Sequence, residues 1–270
     1  MITVVHGTAQ KVWVPVKNSA TVYVGSIVAI DRDNYDDGVI VLPLPTGASD
    51  TTKKRIPLGV VVGTNNRYPL YSATYKTAYI TDAGAASSQT STTDFVGVEG
   101  PWSKGDKTAM VEVELIDPTT ILRAPIYNNA VGTAPTLLTA TTGSTDGLSA
   151  TTNAVEHTPV LGMGAIYCRS GANAGIYRIT NDTSTTACTW LKAMPYDPAI
   201  GDTFIRVPVR THGPSYVSFG DSTVASYLNS SKTPATNYYA IHVVRLDLSV
   251  AGKEFVEFRL DADHFSANRA

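Results

Sequence analysis

The sequence predicts an all-β protein made of one or two small β-barrels or a sandwich, with long polar loops and little helix. Two observations support this fold class. Short runs rich in valine, isoleucine, threonine and aromatic residues recur along the chain, and turn signals separate them at roughly ten-residue spacing. Helix character is confined to 221–229, where Asp221 or Ser222 supplies an N-cap and Pro234 leaves little room beyond.

Four strand signals lie in the first half of the chain. Residues 11–17 alternate, with three valines on one face and Trp13 on the other. The run 21–30 (TVYVGSIVAI) is interrupted by a glycine, and 55–63 (RIPLGVVVG) is apolar in the manner of a buried strand. The run 108–116 (TAMVEVELI) alternates again. These signals predict strands that each turn one face to a core.

The second half of the chain ends in a predicted hairpin. Residues 238–248 and 254–260 read as strands, and the segment between them, SVAGK at 249–253, has the length and the glycine of a hairpin loop. A further strand is predicted at 203–210 (TFIRVPVR).

A glycine followed by a small polar residue and then a strand occurs at Gly25, Gly105 and Gly201. Glycine accepts a positive φ, and the polar residue bonds its own backbone, so each motif predicts a tight turn into a strand. A second echo relates 57–63 to 159–165. We interpret these echoes as two related barrels: an N-terminal β-barrel domain at 1–117, and a second β-rich domain at 118–270 with an inserted loop and the C-terminal hairpin.

Two stretches, 81–94 and 128–153, are polar but almost uncharged. They look too polar for a core and too neutral for a solvated charged tail. Loops of this length are typically functional or disordered. We therefore predict that both order against a neighbouring subunit.

Composition excludes several classes of function. Charged residues are 16% of the chain and the net charge is −2, without a basic stripe, so no nucleic-acid partner is expected. No apolar run is long enough for a membrane helix, and no signal peptide is recognisable, so no membrane partner is expected. Without an export signal, Cys168 and Cys188 are predicted to be reduced, buried thiols.

Potential catalytic and metal-binding residues lack the spacing that their chemistry needs. No two of the five histidines stand at zinc-ligand spacing. Glu112 and Glu114 share one face of one strand, which indicates a solvent-facing or subunit-facing strand edge rather than two carboxylates across a substrate. The five histidines are His6, His157, His212, His242 and His264. Glu99 and Asp106 are the other two carboxylates of the local cluster that includes Glu112 and Glu114.

Three further local patterns also fail as sites. Cys168 lies within an apolar strand, where thiols are usually inert. The acidic run 31–38 places Tyr35 where a calcium loop needs an acid, so a turn is the simpler interpretation, although weak calcium binding stays open. No phosphate-binding, dinucleotide-binding or serine-hydrolase motif occurs. We predict no catalytic residue, no cofactor and no metal site, and no enzyme activity.

Two stretches resemble structural proteins of tailed bacteriophages. One, from Val12 to Asn65, contains a VxVPV strand, a VGSIVAI strand and the run PLGVVVG. The other is the hairpin at 170–180 (SGANAGIYRIT) followed by 198–204 (PAIGDTF). Together they are similar to the small β-barrel decoration, or cement, proteins of phage heads. The resemblance implies a virion protein on the capsid surface, made in the host cytoplasm, whose partners are the major capsid protein and further copies of itself in a homotrimer.

Two other functions fit the same sequence. A phage tail or baseplate component would share the barrel modules and the composition. A carbohydrate-binding β-module would need exposed aromatic residues. Tyr68, Tyr71, Tyr75 and Tyr79 are the candidates, the last three sharing a face if the segment is extended.

Overall fold

The computed structural model describes residues 1–7, 9–17, 20–30, 41–44, 56–64, 70–72, 77–81, 110–127, 135, 137–153, 164–182, 186–221, 224–229 and 239–266. The protein is nearly all β, which confirms the predicted fold class. Within these ranges the only helical segments are two 3-10 turns, Gly171–Asn173 and Ala262–Phe265. None of the helical turns described is long and apolar enough to cross a membrane.

The chain divides into two compact units. Unit one comprises Met1–Leu122, Phe219–Ser226 and Asp261–Ala270, and unit two comprises Arg123–Ser218 and Tyr227–Leu260. The division into domains at 1–117 and 118–270 stays a prediction.

The described strands are numbered in chain order. They are β1 Thr3–His6, β2 Lys11–Pro15, β3 Thr21–Tyr23, β4 Ile27–Ile30, β5 Val41–Pro43, β6 Pro57–Thr64, β7 Leu70–Ser72, β8 Thr77–Thr81, β9 Met110–Leu115, β10 Ile121–Tyr127, β11 Leu138–Thr142, β12 Ser149–Thr152, β13 Ala165–Cys168, β14 Gly175–Asp182, β15 Ala187–Trp190, β16 Thr203–Val207, β17 Gly213–Val217, β18 Phe219–Asp221, β19 Val224–Asn229, β20 Tyr239–Asp247 and β21 Phe255–Leu260.

Unit one contains a five-stranded antiparallel sheet that curls toward closure. Its order is β2-β9-β6-β4-β5, and β3, β8 and β7 form a separate three-stranded sheet. The two outer strands of the larger sheet meet, because Val16 forms a parallel bridge with Val41 and the Lys17 N–H donates to the Val41 carbonyl at 2.7 Å. The enclosed core consists of buried valines contributed by most of these strands, as the alternation at 11–17 and 108–116 predicted. They are Val14, Val16, Val22, Val28, Val41, Val61, Val111 and Val113.

Unit two contains a closed barrel of six strands, in the circular order β11-β12-β15-β14-β13-β16. Its core includes Trp190 and Phe204, whose ring centroids lie 6.4 Å apart, together with both cysteines. Cys168 and Cys188 are buried, and neither forms a disulfide. Burial raises the pKa of the Cys168 thiol above its ordinary value.

Most of a second sheet also lies in unit two, with β17, β20, β21, β10 and β19 as successive neighbours. The predicted C-terminal hairpin is confirmed, since β20 pairs antiparallel with β21. The predicted helix at 221–229 is wrong. Of its described residues, Asp221 ends β18 and 224–229 form β19, which pairs parallel with β10 through Ile126 and Leu228. A helix this short is marginal by itself, so pairing and the burial of Tyr227 and Leu228 decide the conformation.

The glycine motifs at Gly25 and Gly201 form the same type of β-turn. The Ser26 N–H donates to the Tyr23 carbonyl at 3.0 Å, and the Asp202 N–H donates to the Ala199 carbonyl at 3.1 Å. The third residue of each turn is a glycine, with φ of +88° at Gly25 and +97° at Gly201, as a type II turn requires. Gly105 lies outside the described residues.

The prediction that 128–153 is too polar for a core is wrong for its described part. Residues 138–142 and 149–152 are β11 and β12 of the closed barrel. Leu138, Ala140 and Ala150 lie in the barrel core, and the buried Thr152 hydroxyl donates to the Thr186 carbonyl at 3.1 Å. Alanine is small enough for the interior, and a bonded threonine is β-branched and tolerates burial. Residues 128–134 and 82–94 lie outside the described ranges.

Candidate functional site

Candidate catalytic and metal-binding side chains do not come together in the described part of the chain. No group of three or more histidine, cysteine, aspartate or glutamate side chains there could hold a metal ion. His6 lies on β1, His212 is exposed, His242 is exposed on β20, and His264 is buried in the second 3-10 turn. His157, Glu99, Asp106 and the acidic run 31–38 lie outside the described residues.

Glu112 and Glu114 do share one face, but the strand that carries them is not an edge. β9 lies between β2 and β6, so the predicted strand edge is wrong. The apolar alternation of β9 suits a strand paired on both sides. Directly opposite Glu112 stands Trp13, and opposite Glu114 stands Lys11. The two carboxylates therefore face outward beside a tryptophan and a lysine of β2.

Tyr71 and Tyr79, two of the tyrosines considered for carbohydrate binding, do not lie on one extended strand. Tyr71 lies on β7 and Tyr79 on β8, and the chain reverses between these strands, so this segment is not one extended strand. In the register of the hairpin Tyr71 pairs with Ala78, and Tyr79 pairs with Leu70. The condition under which these tyrosines would share a face is not met. Tyr68 and Tyr75 lie outside the described residues.

One end of the closed barrel carries three ordered loops. At this end β11, β13 and β15 finish and β12, β14 and β16 begin, because neighbouring strands run antiparallel. The connecting loops are 143–148, 169–174 and 191–202, and we call them together the barrel-end cap. Since β15 and β16 stand opposite each other in the circular order, loop 191–202 must cross the barrel end.

The crossing loop 191–202 is anchored to the barrel by a side chain that packs into the barrel core and by backbone hydrogen bonds. Met194 belongs to the barrel core, and its N–H donates to the Gly147 carbonyl at 2.8 Å. The same carbonyl accepts a hydrogen bond from Nε1 of the buried Trp190, also at 2.8 Å. The loop backbone is thus fixed to loop 143–148 and to the core below it.

Asn173 fixes the middle of the crossing loop. This buried side chain donates from Nδ2 to the Tyr196 carbonyl and accepts at Oδ1 from the Tyr196 N–H, both at 2.9 Å. An amide that satisfies both backbone groups of one residue holds that residue as a paired strand would. The clamp leaves the Tyr196 side chain on the outside, where 65% of the residue's surface is exposed.

Asp202 closes the network at the start of β16. Its Oδ1 accepts from the Ser170 hydroxyl at 3.0 Å, and its Oδ2 accepts from the Ala199 N–H at 2.9 Å. The Ser170 oxygen in turn accepts from the Thr203 N–H at 2.9 Å. Ser170 and Asp202 belong to the two sequence motifs singled out at 170–180 and 198–204. In the folded chain these two motifs are hydrogen-bonded to each other.

The cap exposes three large apolar residues on its crossing loop. Leu191 is 64% exposed, Tyr196 is 65% exposed and Ile200 is 75% exposed, whereas Met194 and Pro198 between them are buried. Sequence reasoning missed this surface. The available signal was a turn-rich segment, PYDPAIGD, whose apolar residues belong to no strand pattern. Exposed apolar residues on a fixed backbone are typical of a protein-protein contact surface.

A buried ion pair joins the barrel to the C-terminal hairpin within unit two. Arg169 Nη2 contacts Glu254 Oε1 and also donates to the Leu248 carbonyl at 3.0 Å. The Glu254 side chain is fully buried, and the Arg169 side chain is 17% exposed. This contact makes the cap residue Arg169 part of the packing against the hairpin.

The outer face of the hairpin sheet carries an arginine cluster. The guanidinium of Arg123 stands over the Phe255 ring at 4.5 Å, and that of Arg245 stands over the same ring at 5.2 Å. Arg123 Nε also donates to Glu257 at 3.0 Å, and Arg245 to Asp247 at 3.1 Å. Each arginine is already balanced by a carboxylate, so we assign this cluster to stability rather than ligand binding.

No family model, curated protein or solved structure matches the chain. The resemblance to phage decoration proteins therefore stays a prediction.

Proposed function

We propose that the chain is a structural virion protein that binds the outer surface of a phage capsid shell and stabilises it, acting as a homotrimer. The observation that carries the oligomeric part of this proposal is the barrel-end cap, a rigid loop network that presents Leu191, Tyr196 and Ile200 to the outside. A surface that needs no ordering on contact loses little conformational entropy when it binds. The resemblance at 12–65 and 170–204 supports the choice of a capsid shell as partner.

Stabilisation of a shell follows from binding to the assembled lattice. A protein that binds the lattice and not the dissociated subunits shifts the equilibrium toward the lattice by mass action. Each copy that bridges several subunits adds to the effect of its neighbours. The proposed partner is the major capsid protein.

The direct test is the location of the protein in purified particles and the effect of its removal. Mass spectrometry should find it in heads, cryo-electron microscopy should place it on the outer shell, and particles lacking it should lose infectivity sooner under heat or osmotic shock. Equal survival without the protein, together with a position in the tail or in no part of the particle, would refute the proposal. A position in the tail would instead support the alternative of a tail or baseplate component.

A carbohydrate-binding module is a second candidate, favoured by one observation in unit one. Trp13 is 39% exposed on the outer face of β2, and the register sets it opposite Glu112, with Lys11 and Glu114 as the next pair. An indole face can pack against the C–H face of a sugar, while carboxylates accept hydrogen bonds from its hydroxyls. A glycan array probed with wild type and Trp13→Ala tests this candidate. Equal signals from the two proteins would exclude Trp13 as the binding residue.

A further inference from the structure

The barrel-end cap exposes three large apolar side chains on its crossing loop. A large apolar residue exposes on the order of 200 Å² when fully accessible, so the exposed fractions of Leu191, Tyr196 and Ile200 correspond to about 400 Å² in total. The three residues lie on one fixed loop, and their summed area equals that of the largest apolar patch on an ordinary monomer, which is often functional. A stable interface needs roughly 800 Å² on each partner. The three residues would fill about half of that area as its apolar centre.

Charges of both signs surround these apolar residues. Lys192 and Asp197 are exposed on the crossing loop itself, and Asp146 is exposed on loop 143–148. A surface that carries both signs can pair with further copies of itself about a rotation axis, because a positive group of one copy can meet a negative group of the next. A strongly charged partner would instead favour a single sign on this surface.

We propose that the barrel-end cap is the surface through which copies of this chain associate, with the three apolar residues at the centre of the contact. This inference rests on the homo-oligomer in the proposed function and is independent of whether the particle is a phage head. The hydrogen bonds of Asn173 and Asp202 preset the contact surface in each copy. Lys192, Asp146 and Asp197 form its polar rim.

The first test compares Ile200→Asp with Val250→Asp by sedimentation velocity over a range of concentrations. Both residues are exposed and apolar and lie in glycine turns of unit two, but Val250 belongs to the hairpin and not to the cap. We expect wild type and Val250→Asp to associate at tens of micromolar. Ile200→Asp should raise the dissociation constant at least about tenfold, as for a residue at the centre of an interface.

A second variant tests the role of the preset backbone. Asn173→Ala keeps all three apolar residues but removes both bonds to Tyr196, so association should weaken although the apolar composition is unchanged. Circular dichroism and hydrogen exchange of the barrel strands verify folding of each variant.

Two results would overturn the inference. One is a wild-type protein that stays monomeric at tens of micromolar. In that case, an occupancy on particles that falls with Ile200→Asp would show that the cap contacts a shell subunit and not a copy. The second is equal association of Ile200→Asp and wild type. The particle-location test of the proposed function is separate, so failure of either can be recognised.

Discussion

The buried pair of Arg169 and Glu254 gives the sharpest test of how unit two is held together. Arg169→Met keeps the length of the aliphatic stem and removes the guanidinium. Glu254, whose side chain is fully buried, then loses the guanidinium that pairs with it. Removing one partner of a buried pair costs about 3–5 kcal/mol, because the remaining charge is desolvated without compensation. At roughly 2–4 °C per kcal/mol for a chain of this size, the melting temperature should fall by about 10 °C.

The double substitution Arg169→Met with Glu254→Leu should recover most of that loss. Arg169 Nε and the second carboxylate oxygen of Glu254 are buried and make no hydrogen bond to the described residues. The pair therefore carries a desolvation cost that its mutual attraction only partly offsets. A double variant within about 1–2 kcal/mol of wild type is the expected outcome.

Arg245→Met is the matched control, since the Arg245 side chain is 56% exposed and is bound to Asp247 at 3.1 Å. Its loss should cost at most about 1 kcal/mol because water replaces the contact. Urea unfolding followed by tryptophan fluorescence, with the melting temperature from calorimetry, measures all four proteins. The reasoning is refuted if Arg169→Met costs no more than Arg245→Met, or if the double variant is as unstable as the single one.

Three more outcomes can be checked on the same protein. Gly143→Ala should destabilise the cap, because an added Cβ would lie 2.1 Å from a backbone carbonyl oxygen of the crossing loop, whereas Gly175→Ala meets nothing closer than 3.5 Å; hydrogen exchange at the cap compares them. Thiol titration of the unreduced protein should find Cys168 and Cys188 slow in the native state and two reactive thiols after unfolding, and finding none would indicate a disulfide. The pKa of Asp117 is lowered, first by a hydrogen bond from a nearby threonine hydroxyl, so its contribution to stability is present above the unfolded pKa of about 3.9 and lost as pH falls through the folded pKa. Asp117→Asn should remove that acid dependence, and an NMR titration without a lowered pKa would contradict it.

Local chemistry in the sequence predicted turns and strands well. The alternation at 11–17 fixes which side chains of β2 face the valine core, because successive residues of a strand point to opposite faces. The type II turns at Gly25 and Gly201 need a positive φ at one position, so a glycine before a small polar residue indicates them directly. Such features depend on a few neighbouring residues and are visible without a fold.

Features that depend on distant residues were not predictable. Whether 138–142 is a loop or a barrel strand depends on its pairing with β16, more than sixty residues further along the chain. The helix predicted at 221–229 failed for the same reason, since β10 supplies the partner of β19. The barrel-end cap could not be predicted either, because its three loops meet only after the six strands have closed into a barrel. Asn173 and Tyr196 are ordinary residues in the sequence, and their clamp exists only in the folded barrel.

The energetics of the cap favour an apolar partner surface, and a second copy supplies one. If a polar surface covered the cap, only the cap's own apolar area of about 400 Å² would leave water, a gain on the order of 10 kcal/mol. The loss of translational and rotational freedom costs an estimated 4–15 kcal/mol and offsets a gain of that size. When the three caps of a trimer meet about its axis, apolar area leaves water on every copy, so the gain per association step rises to about 15 kcal/mol while the cost of each step stays the same. The bonds of Asn173 and Asp202 keep the further cost of ordering low, because the loop is already fixed in each copy. Contacts of this kind also gain from a lattice, since copies held near one another on a shell associate at a high effective concentration.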